Sequence, residues 1–294
     1  MVSNKMMGAC MVVAGLAAIC GTTRSASAQF TYSNFNDISA LSLNGVATQS
    51  PGLSGEQQTL SITPNVRASA GSFYYSTAQR VDLGFTTDFH FRVRDRSGTG
   101  ADGLTFIVQG QGASALGGPG GALGFGTNLA FPITPTNTGI TNSLAVVFDT
   151  WDNSANWPTI PGANVVTVQS SHLGAGAPNT PSSVDSLGGI AVSGAFNDGA
   201  THTVRISYTP GLMSIFYDNL STPALSVAAN LANTLNLIGG QNAFVGFTAG
   251  TGAQINVERH EIRDWSFSTV APAPGTAALL GLGGLVAARR RRTK

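Results

Sequence analysis

Charge, lysine, cysteine and histidine are all scarce in this 294-residue chain. Asp, Glu, Lys and Arg together make up 10% of it, against roughly 25% for an average globular domain. That excludes coiled coils and helical bundles, whose long exposed faces are clothed in charge. The only lysines are Lys5 and Lys294, one at each end, and the only cysteines are Cys10 and Cys20. The four histidines, His90, His172, His202 and His260, are spread along the chain without metal-ligand spacing. Common hydrolase signatures are missing too: there is no Gly-x-Ser-x-Gly, no His-Glu-x-x-His and no cysteine beyond position 20 to act as a nucleophile. What is plentiful is glycine, with 37 residues, nearly twice the usual ~7%. The 42% hydrophobic fraction is too apolar for intrinsic disorder and large enough to bury a core. Strands and tight turns are the reading.

Both ends look like addresses. Met1 to Ala28 combines Lys5, an apolar run from Met11 to Ile19 and the small-residue site Ala26-Ser27-Ala28, the make-up of a secretory signal peptide cleaved before Gln29. Cys20 raises the alternative of a lipoprotein signal, but Ile19 stands where lipid attachment needs a small residue. At the other end Val270-Ala271-Pro272-Ala273-Pro274-Gly275 leads into an apolar stretch, Thr276 to Ala288, and then Arg289 to Arg292 and Lys294. Those thirteen apolar-stretch residues rise about 20 Å as a helix against a hydrocarbon core of about 30 Å. They span only with help from their flanks, with the arginines on the cytoplasmic side and everything before them outside. This tail resembles the bacterial PEP-CTERM sorting signal, a removable anchor read by a sorting protease in exopolysaccharide-producing Gram-negative bacteria, with Ala273 where that signal has Glu. The alternative is a plain membrane anchor. Beside an apolar stretch and a leader, the arginine run is not read as a nucleic-acid site.

The expected division is therefore a signal peptide over 1–28, one domain over 29–269, and a sorting or anchor segment over 270–294. The middle part keeps eight arginines against all fourteen acidic residues, a net charge of −6. It has no cysteine, so an exported domain must rely on its core instead of a disulfide, and roughly 240 residues can supply one.

Period-2 alternation runs through that middle part. In Phe85 to Arg94, Phe89, Phe91 and Val93 point one way while Asp88, His90, Arg92 and Arg94 point the other. Leu104 to Val108, Leu144 to Phe148, Val165 to Gln169, His202 to Tyr208, Met213 to Asp218, Phe244 to Ala249 and Glu261 to Phe267 read as further strands. Thr209-Pro210-Gly211-Leu212 joins two of them as a hairpin. His90 and His202 are expected on solvated strand faces. Leu225 to Leu237, the one helix-like window, is expected to be a loop or a single short turn. No repeat and no Pro/Ser-rich linker divides the chain, so one all-β sandwich fits best.

Catalytic chemistry is thin. A sandwich glycosidase needs two carboxylates about 5 to 9 Å apart, yet Asp149 and Asp152, like Glu258 and Glu261, are three apart and cannot share a strand face. Three segments stand out. Ala101-Asp102-Gly103-Leu104 puts a carboxylate at a glycine turn before an apolar strand. Gly117-Gly118-Pro119-Gly120-Gly121-Ala122-Leu123-Gly124-Phe125-Gly126 offers backbone amides that a ligand can approach closely. Leu144 to Asn153 ends a buried strand in oxygen donors, Phe148-Asp149-Thr150-Trp151-Asp152-Asn153. Oxygens without Cys or His favour a hard cation, calcium before zinc. Taken alone, each segment also reads as an edge turn, a flexible glycine loop or an Asx turn.

The order and wording of the three together resemble the L-type (legume-like) lectins. The resemblance runs from Phe30-Thr31-Tyr32-Ser33-Asn34-Phe35 through Ala70-Gly71-Ser72-Phe73-Tyr74-Tyr75 to Val245-Gly246-Phe247-Thr248-Ala249-Gly250-Thr251-Gly252 and Trp265-Ser266-Phe267. It implies a concanavalin-like jelly-roll sandwich of two antiparallel sheets that binds a sugar beside a calcium ion without catalysis. Carried over, Asp102 accepts hydrogen bonds from two sugar hydroxyls and follows a cis peptide bond from Ala101. Gly121 donates its N–H to the sugar. Asn153 places its amide oxygen on calcium and its N–H on the sugar. Asp149 is the chief calcium carboxylate, and Trp151 offers its carbonyl to the metal while its ring forms the sugar-site floor or simply packs. Ala253 and Gln254 match the loop that sets sugar preference. Asn156, Asp152 and Asp185 are candidates for the remaining calcium ligand. Two departures matter: Val147 stands where plant members carry a Glu for a second, manganese-type metal, and Asn164 stands near their metal-binding His. The resemblance thus implies one calcium and no transition metal, closer to the animal cargo-receptor branch. The implied function is an exported, calcium-dependent binder of glycans or exopolysaccharide at the cell surface or in the extracellular matrix. A structural matrix protein on the same sandwich and a glycan hydrolase are the alternatives.

Overall fold

A computed structural model of the protein describes residues 26–127, 139–151, 163–171, 186–252 and 255–270. Within them the strands run in chain order as β1 (Ala26–Tyr32), β2 (Leu41–Gly45), β3 (Thr48–Ser50), β4 (Thr59–Thr63), β5 (Ala70–Tyr75), β6 (Gln79–Arg80), β7 (Phe85–Ser97) and β8 (Gly103–Gln109). They continue as β9 (Ser143–Asp149), β10 (Val165–Ser171), β11 (Ser186–Ala191), β12 (Thr201–Thr209), β13 (Leu212–Tyr217), β14 (Leu225–Val227), β15 (Asn242–Gly250) and β16 (Val257–Val270). A 3-10 turn at Gly120–Ala122 and α1 (Leu231–Thr234) are the helical elements among the described residues.

Two antiparallel sheets result. The back sheet has the order β14, β13, β12, β7, β16, β4, β3, with β1 also alongside β16; the front sheet has the order β11, β10, β9, β8, β15, β5, β2, with β6 alongside β15. β16 is long enough to pair with β4 through its first half and β1 through its second. β1 starts at Ala26, three residues ahead of Gln29, because the ladder from Ala26↔Val270 to Ala28↔Ser268 asks only for backbone.

The alternation in β7 sends Phe85, Thr87, Phe89, Phe91 and Val93 inward. There they meet Phe106, Phe148, Phe247 and Trp265, with Phe89 and Trp265 both edge-on to Phe247 at centroid distances of 4.8 and 5.1 Å. Each such side chain contributes about 1.5–3 kcal/mol by leaving water. Trp265 donates its indole N–H to the buried Thr87 hydroxyl at 2.9 Å, so the polar edge of the ring is satisfied inside the core. His90 stays on the solvated face, 2.7 Å from an Asp264 carboxylate oxygen. His202 does not. It shares the inward face of β12 with Val204, Ile206 and Tyr208, is 6% exposed, and stacks on Tyr217 while bonding to Asp218 at 2.9 Å. The expectation of a solvated His202 is corrected by its own strand parity.

The hairpin between β12 and β13 forms as expected. The 225–237 window holds one turn of helix, α1, preceded by β14, which pairs with β13. Of the strands that alternation did not show, β11 has no buried face to alternate, while β4 is buried on both faces: every one of its residues is buried. The same double burial makes β8 and β9 continuous apolar runs. Their outer side chains Ile107, Ala145 and Val147, with Tyr74, lie under Leu123, Phe125 and Ile140 in a second, smaller core that seats the glycine loop on the front sheet.

Candidate functional site

At one end of the front sheet β8 begins while β9 and β15 end. Gly103 is paired with Asp149 on one side and Gly250 on the other, which fixes the preceding residue, Asp102, between two neighbours. Its N–H donates to the Gly250 carbonyl at 3.1 Å, and its own carbonyl accepts the Thr150 N–H at 2.9 Å. The Ala101–Asp102 peptide is cis, as the resemblance implies. Asp102 is 6% exposed, and its Oδ2 is buried with no hydrogen-bond partner among the described residues. Burial, and secondarily the charge of Glu258, push this carboxyl up to about 7.

Two more segments are pinned around it. The Gly120 N–H donates to the Thr251 carbonyl at 3.0 Å, which brings the glycine loop beside the Asp102 turn and leaves Gly121 half-buried at its edge. The approach is close enough that a side chain at Gly124, whose φ is +70°, would meet the Ala249 carbonyl at 2.6 Å. On the other flank Ala68 N–H donates to the Gly252 carbonyl at 2.8 Å, and the Thr251 hydroxyl donates to the Val66 carbonyl at 2.6 Å. Gly252 in turn sits where an added Cβ would lie 3.5 Å from Asp102 Oδ2. The oxygen therefore lies against the Gly252 backbone, where no side chain covers it from that residue.

The structure thus brings together Asp102, the glycine loop at Gly121, Asp149 and Trp151. Asn153, Ala253 and Gln254, and the further metal candidates Asp152, Asn156 and Asp185, lie outside the described residues, as does His172. Asp149 is 3% exposed, and its Oδ1 accepts the Trp151 N–H at 3.0 Å, a local turn that keeps carboxylate and following backbone close together. Carboxylate and carbonyl oxygens of this kind suit a hard cation. Among the described residues no three His, Cys, Asp or Glu side chains converge on one point. Val147 lies inside the second core, completely buried, with Thr105 and Thr167 as its cross-strand neighbours. Asn164 adopts φ +64° and works for the fold: its N–H donates to the Asp149 carbonyl at 2.9 Å, and its Oδ1 accepts the Phe196 N–H at 2.9 Å.

Beneath the site lies a network that reading the sequence missed. Glu258, completely buried, accepts the Thr150 hydroxyl on Oε1 and the Asn197 amide on Oε2 at 2.8 Å. His260, equally buried, bonds through Nε2 to Glu258 at 3.2 Å and through Nδ1 to the Thr63 hydroxyl at 2.6 Å. Burial pushes the Glu258 carboxyl up, but the hydrogen bond and charge of His260, with Thr150 and Asn197, outweigh it and hold the group below the ordinary carboxylate range. The available signal was Glu258 and His260 two apart on one strand. It was obscured because β16 changes register between Val257 and Arg259 and again near His260. Glu258 and Glu261 stay in separate environments, the second pairing with Arg92 and Arg94. Neither reaches solvent, so neither can act on a substrate.

The model of the legume lectin domain matches residues 27–279. A lectin from Bauhinia forficata is 33% identical over 132 residues, 42% of this chain and 52% of that protein, so the chain spans about half the length of the curated relative it matches. The solved structure of the lectin from Bauhinia forficata in complex with GalNAc is similar with a TM-score of 0.61 and 25% identity, over 84% of this chain and 100% of that one. The exoplasmic/lumenal domain of VIP36, in its Ca2+/Man3GlcNAc-bound form, gives a TM-score of 0.60 over 85% of this chain and 92% of its own, at 14% identity, a likeness of fold alone.

Proposed function

Because this chain belongs to the legume lectin family, we propose that it is a non-catalytic glycan-binding protein whose sugar site is built around Asp102. One observation carries the reading: a buried carboxylate has an oxygen without a hydrogen-bond partner among the described residues, beside glycine backbone. Such an oxygen costs free energy until a donor reaches it, and sugar hydroxyls are donors of the right kind. In this reading Asp102 accepts from two hydroxyls and Gly121 donates its N–H. Asn153 contacts the sugar, and Ala253 with Gln254 shapes the preference.

Asp149, the Trp151 carbonyl and Asn153 would hold one calcium ion, with the remaining ligand drawn from Asn156, Asp152 or Asp185. Calcium when bound would supply fixed positive charge beside Asp149 and offset the neighbouring carboxylates. The packing of Val147 and the structural use of Asn164 support a single metal. The leader over 1–28 and the basic-ended segment over 270–294 support export to the cell envelope surface or extracellular matrix. A sorting protease would act on that tail, and transient membrane anchoring would precede release. The ligand would be a glycan or matrix exopolysaccharide.

A glycan array that includes GalNAc and mannose-type glycans, run with calcium and with a chelator, tests the reading. Calcium-dependent signal is expected. A folded protein silent in calcium would favour a structural matrix role, and reducing sugar released from a polysaccharide panel would favour a hydrolase.

A further inference from the structure

We infer that Glu258 is the positioning residue of this site, a buried carboxylate that ties together the separate segments carrying the sugar-facing and calcium-facing groups. The inference rests on the proposed sugar and calcium reading for what is being positioned, and on geometry for how. Thr150 sits between Asp149 and Trp151. Its hydroxyl donates to Glu258, while its N–H donates to the Asp102 carbonyl at 2.9 Å. One residue thus connects the metal turn, the Asp102 turn and the buried carboxylate. Asn197, from the loop after β11, donates from one amide nitrogen to Glu258 at 2.8 Å and to the Thr99 carbonyl at 3.0 Å, which fastens the 98–102 turn from behind. Gly100 lies so close that any side chain there would run into the Glu258 carboxylate. Through His260 the link reaches Thr63 at the end of β4, just before the segment whose Ala68 and Val66 hold Gly252 and Thr251.

Burying a carboxylate completely is costly, and an apolar residue of similar volume would often serve the fold as well or better. Here the side-chain hydrogen bonds of Glu258 lead through Thr150 and Asn197 to the Asp149 and Asp102 turns of the proposed site. A carboxylate offers two acceptor oxygens fixed in one plane, which a hydroxyl and an amide from different loops can share.

The test uses the full-length protein with Thr150→Val, Thr150→Ser and Glu258→Gln. Thr150→Val removes only the hydroxyl and keeps the N–H on Asp102; Thr150→Ser restores the hydroxyl. Calcium affinity by titration calorimetry should fall about tenfold or more in Thr150→Val and Glu258→Gln and stay within about twofold in Thr150→Ser, while both weakened variants stay folded with thermal midpoints lowered by roughly ten degrees or less. Wild-type affinity in Thr150→Val and Glu258→Gln, or losses that track the thermal midpoint in all three variants, would overturn the inference. If the wild type itself takes up no calcium, the calcium reading fails. Amide hydrogen exchange then decides the inference alone. Faster exchange confined to residues 99–103 and 150 in Thr150→Val supports positioning, and unchanged or global exchange overturns it.

Discussion

Two carboxylates in this molecule are almost equally hidden and very differently treated. Glu261, in the back sheet, is completely buried, and both of its oxygens are taken: Arg94 reaches it at 2.7 and 2.9 Å, and Arg92 at 3.0 and 3.2 Å. Glu56 closes the cluster from a loop, accepting from Arg92 and from Arg263 at 2.9 Å. Asp102, at the end of the front sheet, is 6% exposed, and among the described residues no cation and no donor reaches its Oδ2. Glu261 is a finished internal ion cluster whose charges answer one another. Asp102 is unfinished within the described residues, and the missing partners are what a ligand would bring. Burial alone does not mark a binding group. Burial without compensation does.

The contrast gives opposite signs for two substitutions. Glu261→Ala should produce the larger change in stability, a loss of about 3–5 kcal/mol in denaturant unfolding, because Arg92 is left buried with half its partners gone. Glycan binding by the folded fraction should be unaltered. Asp102→Asn should instead raise the thermal midpoint of the calcium-free protein by a few degrees, since a desolvated charge disappears.

That gain should depend on pH. The carboxyl is raised from 3.8 to about 7 in the folded state, so between those values the native protein holds a proton that the unfolded chain has lost. The stability contributed by this group therefore falls as pH rises through that window and levels off above it. The advantage of Asp102→Asn over wild type should grow from about pH 4 to about pH 7, and a constant difference would remove Asp102 from the account. The smallest effect belongs to Arg80→Gln. Its bond to Asp82 at 2.8 Å lies at a partly exposed surface, so a loss of no more than about 1 kcal/mol is expected. A loss comparable to Glu261→Ala would mean that burial is not what separates these pairs.

Much of this was legible in the residues. Strands with one wet face announce themselves through alternation, and β7, β12 and β13 lie where the pattern puts them. Asp102, Gly121 and Asp149 each sit in a short distinctive segment, so local wording finds them. β4 was hidden because both of its faces are buried and nothing alternates. His202 was misplaced although Val204 and Ile206 on the same parity gave its direction. Glu258 could not be found locally: its partners Thr150 and Asn197 are 108 and 61 residues away in sequence, and a register shift scrambles the parity around it. Long-range hydrogen bonds leave no periodic trace.

The most direct measurement is the glycan-array signal of wild type and Asp102→Asn, side by side in calcium at neutral pH, with circular dichroism confirming that both are folded. The account predicts binding by the wild type and at least about a hundredfold loss in Asp102→Asn, the worth of two hydrogen bonds to a charged acceptor. Equal signals from the two proteins, or a well-folded wild type that binds no glycan in calcium, would contradict it.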